Sequence, residues 1–221
     1  MNELIFQLHS PEEFRYLTNL GHWIVGYIFL GVAIIALLQA LGFLKTQKYL
    51  WPSVVVAGGL IFIPYNILHH GIDKLPLVLK VLEVDEQQKQ HFIMFNLLFV
   101  AGITELLLAL GKMRSSFWYF LWPTVMFIIG YMFLTHPQHG TAQALAYTKP
   151  FHTVLGAVIL LTGLLKIAEI LWSTKYKVIK FGWIIFLFIT SIMLIIYNEP
   201  EGAYQKEESI QQNQGEMQHK L

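Results

Sequence analysis

The chain contains no cysteine. Disulfides, thiolate metal sites and a cysteine nucleophile are therefore excluded. Charge is scarce as well. Asp, Glu, Lys and Arg together make up 13% of the residues, against about 25% in an ordinary soluble domain. The formal net charge is +1, so nothing suggests a nucleic-acid surface. Nor does the chain carry HExxH, a Walker A loop, GxGxxG, a Ser-centred hydrolase motif or CxxCH for covalent haem. The first 19 residues contain Glu3, Glu12, Glu13 and Arg15 and have no basic stretch followed by an apolar core, so no signal peptide is expected.

What the chain has instead is apolar length. Hydrophobic residues make up 55% of its 221 positions. A helix needs about 20 apolar residues to cross the ~30 Å hydrocarbon core. Six segments meet that need: 21–44, 50–70, 91–112, 116–135, 151–172 and 178–197. The expected fold is all-α and membrane-integral, with six spans arranged as three repeated helical hairpins. The hairpin units are 21–71, 86–140 and 150–200, within a transmembrane domain over 21–200. Before it, Ser10-Pro11-Glu12-Glu13 is a capping box for a short interfacial helix in residues 1–20. Residues 71–90 read as a Gly break, an amphipathic stretch from Leu75 to Leu82, and Asp85 as the cap of the third span. Residues 201–221 form a polar tail whose composition is that of a disordered segment.

Charge placement predicts orientation. The three tight hairpin turns carry Lys45 and Lys48, then Lys112 and Arg114, then Lys175, Lys177 and Lys180, with no acidic residue. Basic residues on the other side are spread over much more chain. The positive-inside rule makes the hairpin turns cytoplasmic and both termini extracytoplasmic, in a multi-pass protein of a bacterial-type inner membrane.

The repeat rests on spacing. His22 to Gly71 is 49 residues, His91 to Gly140 is 49, and His152 to Gly202 is 50. Leu50-Trp51-Pro52 and Leu121-Trp122-Pro123 open the second and fourth spans, and Phe181-Gly182-Trp183 stands at the start of the sixth. Gly and Trp-Pro recur at helix ends for capping and anchoring alone. His at helix starts has no such general reason.

All nine histidines fall at or beyond one end of the bundle. His22, His91 and His152 open the odd-numbered spans; His69 and His70 close the second span; His136 and His139 close the fourth; His9 and His219 lie in the tails. Three chemistries suit such a layer. One is a transition metal, copper first because the set is rich in His with Met available. Another is haem b with two axial histidines. The third is proton handling near neutral pH. His22, His91 and His152 are the first candidate ligand set, and His70, His139 and Glu201 the second. His69, His136 and Met94 are possible additions. If every pair of the first trio stood more than about 10 Å apart, a single-ion site would be untenable, because Zn–N bonds are only about 2 Å long. Against these readings, a His at a helix end can simply cap it or sit in the interface, and Met94 can be ordinary core.

Glu105, Lys166 and Glu169 are ionisable residues inside spans, where such groups point to function. Glu105 follows His91, and Lys166 follows His152, by 14 residues, about 21 Å of rise. The repeat thus predicts a Glu105–Lys166 ion pair. Lys166 and Glu169 can also pair locally, with Lys166 snorkelling to the interface.

His139-Gly140 followed by His152 and Gly156 resembles the CopD-type membrane proteins that handle copper from the outer face. The likeness covers 139–156 only, and it assigns no residue a role. Three functions are expected alternatives. The first is an extracytoplasmic metal or haem site for copper handling or electron transfer. The second is an ion- or proton-coupled transporter or channel using Glu105 and Lys166. The third is a noncatalytic subunit of a larger membrane complex. The bilayer is the expected partner in each, with a membrane or periplasmic protein as a further one and no nucleic acid.

Overall fold

The computed structural model describes residues 8–68 and 71–204, except for the side chains of 65–68. All of its regular structure among these residues is helical: α1 (Pro11–Leu41), α2 (Leu50–Leu68), α3 (Leu75–Val84), α4 (Glu86–Ala109), α5 (Leu121–Thr135), α6 (Ala142–Trp172) and α7 (Gly182–Ile196), with short 3₁₀ turns before α3, α5 and α7. Five helical segments are long and apolar enough to cross a membrane: Pro11–Leu41, Glu86–Ala109, Ser116–Thr135, Ala142–Trp172 and Lys177–Ile196. The apolar part of α2, Leu50–Pro64, is shorter. The chain is therefore an all-helical protein of multi-pass membrane type.

The N-terminal helix differs from the expectation. The interfacial helix and the first span are one continuous helix of 31 residues. Its start is built as the sequence dictates: the Ser10 hydroxyl accepts from the Glu13 N–H, and the Glu13 carboxylate accepts from the Ser10 N–H at 3.0 Å. No breaker follows, since Gly21 stays helical. At 1.5 Å per residue the helix is about 46 Å long, so its first turns project beyond a ~30 Å hydrocarbon layer. Likewise α6 begins at Ala142, well before the expected boundary, and runs through Pro150. The Asp85 carboxylate caps α4 by accepting from the Gln88 N–H at 3.0 Å.

Six long helices form a closed ring in the order α1, α2, α4, α5, α6, α7 and back to α1. Helices surrounded by lipid tails gain little from hydrophobic exclusion and are held by close packing, which small residues permit. Two contacts show this. A Cβ on Gly156 would stand 2.8 Å from the Gly130 carbonyl, and one on Gly26 would stand 2.8 Å from Ile195. These glycines let α6 close on α5 and α1 close on α7.

The two ends of the ring differ. At the end of the tight turns Trp51, Trp122 and Trp183 meet inside the bundle, with ring centres 5.1 Å apart for Trp51–Trp122 and 5.9 Å for Trp51–Trp183. The other end carries His22, His91, His136 and His152. It is covered by a second apolar cluster made of Leu8, Phe14, Val78, Val81, Ala144, Ala203 and Tyr204. The amphipathic α3 supplies Val78 and Val81, so it acts as a cover over the histidine end.

Candidate functional site

Four imidazoles from four segments come together beneath that cover. His22 is on α1, His91 on α4 and His152 on α6, and His136 is the residue at which α5 ends. Ring centres are 4.6 Å apart for His91–His136, 5.6 Å for His136–His152, 6.1 Å for His22–His152 and 6.2 Å for His22–His91. His22, His136 and His152 are buried and His91 is half-buried. Phe133 stacks on His152 at 5.5 Å, and Tyr197 packs edge-on against His22 at 4.9 Å and His152 at 5.3 Å.

The hydrogen bonds decide which nitrogens are available. His91 Nδ1 lies 2.9 Å from the Gln87 carbonyl, and His152 Nδ1 lies 2.9 Å from the Thr148 carbonyl. Each is the carbonyl one helical turn earlier. A carbonyl only accepts, so Nδ1 carries the proton and Nε2 carries the lone pair. His136 Nδ1 faces Gln90 Oε1 at 3.0 Å, giving the same tautomer with the amide set as shown. The Nε2 atoms of His91 and His136 are buried and make no hydrogen bond. His22 departs from this pattern. Its Nδ1 is buried and makes no hydrogen bond of normal geometry, although the Thr18 carbonyl is near. The Thr18 hydroxyl is already engaged, donating to the Phe14 carbonyl and accepting from the Tyr204 hydroxyl. Burial, reinforced by the other imidazoles, pushes the His136 pKa far below the ordinary histidine value. A buried imidazole held neutral is the form that binds metals and accepts protons.

The other candidates are placed elsewhere. His139 Nε2 pairs with the Asp85 carboxylate at 3.5 Å. Burial acts to raise the Asp85 pKa, but the hydrogen bonds from His139 and the Gln88 N–H outweigh it, and the net shift is downward. Glu201 is exposed in the turn after α7. His69, His70 and His219 lie outside the described residues. His9 faces Glu13 at 3.8 Å. Met94 is buried in the core one turn below His91. The expected Glu105–Lys166 ion pair is not made. The Lys166 ammonium binds Glu169 at 2.6 Å and lies 4.2 Å from the Trp183 ring centre. Glu105 is buried nearby without an ion pair. Local pairing wins because Glu169 is on the same helix face as Lys166, whereas Glu105 must be met across the bundle.

Among the described residues, no group of three or more His, Cys, Asp or Glu side chains is arranged so that it could hold a metal ion as it stands. Beside the imidazoles lies an apolar cavity of about 140 Å³, bordered by His22 and His91 and walled by α1, α2, α4 and the cover helix α3. Glu199 is also buried, just beyond α7; its N–H donates to Asn19 Oδ1 at 2.6 Å, and burial pushes its carboxyl up to about 7.

Sequence reasoning did not single out Tyr197, Phe133 or the cavity, and it ranked His136 as a spare. A signal was present. His136 follows Trp122 by 14 residues, and Tyr197 follows Trp183 by 14, so the two occupy one register on helices that open alike. No protein family, curated protein or solved structure matches this chain.

Proposed function

We propose that the chain is a six-span membrane metalloprotein that holds a transition-metal ion at the histidine end, for copper handling or electron transfer. The observation that carries this reading is the convergence of four imidazoles from four segments, three with Nδ1 engaged and Nε2 left as a lone pair. That arrangement is the usual support for ligating histidines, whose second nitrogen donates to a carbonyl or carboxylate. Bonds of about 2 Å to Nε2 put the ring centres of tetrahedral ligands roughly 5 Å apart. The His91–His136 and His136–His152 separations of 4.6 and 5.6 Å bracket that value. The set is not closed into a metal site as it stands, so coordination requires the rings to move. His91, His136 and His152 are the ligand set in this reading, and His22 is the fourth, unlocked imidazole.

The repeat supports the same view. His22, His91 and His152 lie at one end of the ring, and Trp51, Trp122 and Trp183 meet at the other. Three repeated hairpins about one axis account for both trios, with α2 as the sixth span. Under the positive-inside rule the histidine end is extracytoplasmic, in a bacterial-type inner membrane.

Copper is favoured because imidazole is the only abundant ligand and no carboxylate joins the cluster. Haem b is less well supported, since the adjoining cavity is nearer the size of one aromatic ring than of a porphyrin. A transport path through the axis has to pass the three buried indoles, and Lys166 is already neutralised by Glu169; that alternative ranks below the metal reading. Elemental analysis of purified protein exposed to Cu(I), Cu(II) and Zn(II), with an optical spectrum, is the test. One bound ion per chain, lost in His136→Ala, is expected. A protein that retains none of these ions and shows no Soret band would falsify the reading.

A further inference from the structure

The cavity beside the imidazoles has a wall of two kinds. Most of it is apolar and aromatic, with Phe29, Phe62, Phe92, Phe95 and Phe133 among its lining residues. Its polar wall is confined to Thr18, His22, Gln88 and His91. The Thr18 hydroxyl is already paired on both sides. Two imidazoles on that wall each have a buried ring nitrogen with no hydrogen-bond partner, His22 at Nδ1 and His91 at Nε2, and His22 is the more buried, at 8% exposed. An unpaired buried polar group is unfavourable, and a ligand that reaches it removes that penalty.

Size narrows the occupant. A volume of about 140 Å³ is close to the ~150 Å³ engineered cavity that takes up benzene. One six-membered ring fits. Aromatic walls favour a flat ring through offset and edge-to-face contacts. The hollow also continues. A second void of about 30 Å³ shares Val25, Phe29, Phe62, Phe95 and Leu98 with the first and extends among α1, α2 and α4, the direction an apolar tail would take. Chemistry narrows it further. His91 and His152 are fixed in one tautomer by their own helices. At His22 the corresponding contact with the Thr18 carbonyl falls short of normal hydrogen-bond geometry, so this ring is held less firmly in one tautomer and can donate to a carbonyl or accept from a hydroxyl.

The geometry points to a binding site for a lipid-soluble quinone in either redox state, with the ring in the phenylalanine cavity and one ring oxygen hydrogen-bonded to His22. A ligand whose oxygen alternates between carbonyl and hydroxyl needs a partner that can alternate with it, and the unlocked imidazole is that partner. Its physiological meaning rests on the metal reading, because His22 stands 6.2 Å from His91 by ring centres and the ligand would border the ion. Binding itself does not rest on that reading.

The test uses the full chain in detergent, stripped of metal with a chelator. Three probes share one decyl tail: a benzoquinone, its hydroquinone and decylbenzene, which has no oxygen. Binding is followed by quenching of intrinsic tryptophan fluorescence and by the thermal midpoint. Both oxygenated probes are expected to bind at least tenfold more tightly than decylbenzene. That preference should disappear in His22→Phe. In Val25→Phe, which fills the cavity and keeps His22, all three probes should lose binding. Equal affinity for decylbenzene, no binding by either oxygenated probe, or discrimination that survives His22→Phe overturns the proposal. So does a co-purified haem or phospholipid that the quinone cannot displace. Quinone binding to a protein that never takes up metal would sink the metal reading alone, and metal uptake without quinone binding would sink this one alone.

Discussion

The imidazoles of His91 and His136 meet edge to face across the α4–α5 hairpin, with ring centres 4.6 Å apart and planes at 89°. Both Nε2 atoms are buried without a partner. The pair is therefore costly unless something accepts those lone pairs. His136→Ala is expected to weaken copper binding by roughly a hundredfold or more, and Gln90→Ala, which frees the His136 ring, by about 10- to 100-fold. His139→Ala, outside the cluster, should leave it unchanged. Competition with a calibrated chelator measures all three. Equal losses for His136 and His139 would argue for nonspecific surface binding.

Gly156 and Gly130 set the α5–α6 distance. A Cβ on Gly156 meets backbone, the Gly130 carbonyl at 2.8 Å, so no side chain can move aside. Gly156→Ala is expected to cost about 1–3 kcal/mol by overpacking. Its unfolding in mixed micelles should shift accordingly. Gly31→Ala, whose nearest neighbour would stand 3.9 Å away, serves as the control and should gain or lose well under 1 kcal/mol.

Glu199 makes stability depend on pH. Burial raises its folded pKa from 4.5 to about 7, against hydrogen bonds from Tyr197 and Tyr204 that lower it. The folded state thus holds a proton that the unfolded state releases earlier. The favourable contribution is full below pH 4.5 and is lost as pH rises to about 7, for a total of at most about 3 kcal/mol. The buried neutral His136 acts in the opposite direction, losing stability as pH falls. The Glu199 part is therefore read as a difference: the thermal midpoint of the parent relative to Glu199→Gln, neutral throughout, should fall across that window and level off above it. A difference between parent and variant that stays constant with pH would assign no pH dependence to Glu199.

Asp85 does two jobs: it caps α4 through the Gln88 N–H and pairs with His139. Asp85→Asn keeps a capping oxygen and loses the charge, whereas Asp85→Ala loses both. The alanine variant should cost about 1 kcal/mol more than the asparagine variant. A double-mutant cycle with His139→Gln should show a coupling on the order of 0.5 kcal/mol or more. Strict additivity would mean that the pair does not form in solution.

Glu105→Gln should leave the fold intact, because Lys166 is neutralised by Glu169 rather than by Glu105. The shift in thermal midpoint is expected to be small, whereas Lys166→Met should be the more damaging change because it strands Glu169. If Glu105→Gln also abolished a proton-coupled flux in proteoliposomes, the transport alternative would rise above the metal reading.

Depth along the membrane axis was legible from the chain alone. Residue count times 1.5 Å gives depth, so the common level of His22, His91 and His152, and that of Trp51, Trp122 and Trp183, follow from numbering. Apolar run length marked the five helical segments long enough to cross a membrane among the described residues, and Ser10 and Asp85 marked two helix starts through their side-chain oxygens. Boundaries between touching elements were not legible. The expected interfacial helix and first span fuse into α1 because nothing at Asn19 to Gly21 breaks the backbone.

Only the tertiary structure decided rotation and enclosure. His136 and His139 are three residues apart and look interchangeable on the chain. Yet α5 ends at His136 with an extended backbone (ψ 120°), which leaves His136 under the cover and His139 beside Asp85. Whether a side chain faces the axis depends on how closely its helix can approach a neighbour, and that was set by residues such as Gly130 and Gly156 on other segments. The sequence by itself determined an apolar helical chain, and it placed His22, His91 and His152 at one common level. The fold decided that these three and His136 meet, that His22, His91 and His136 each keep a buried ring nitrogen without a partner, and that a hollow for a single ring lies beside them.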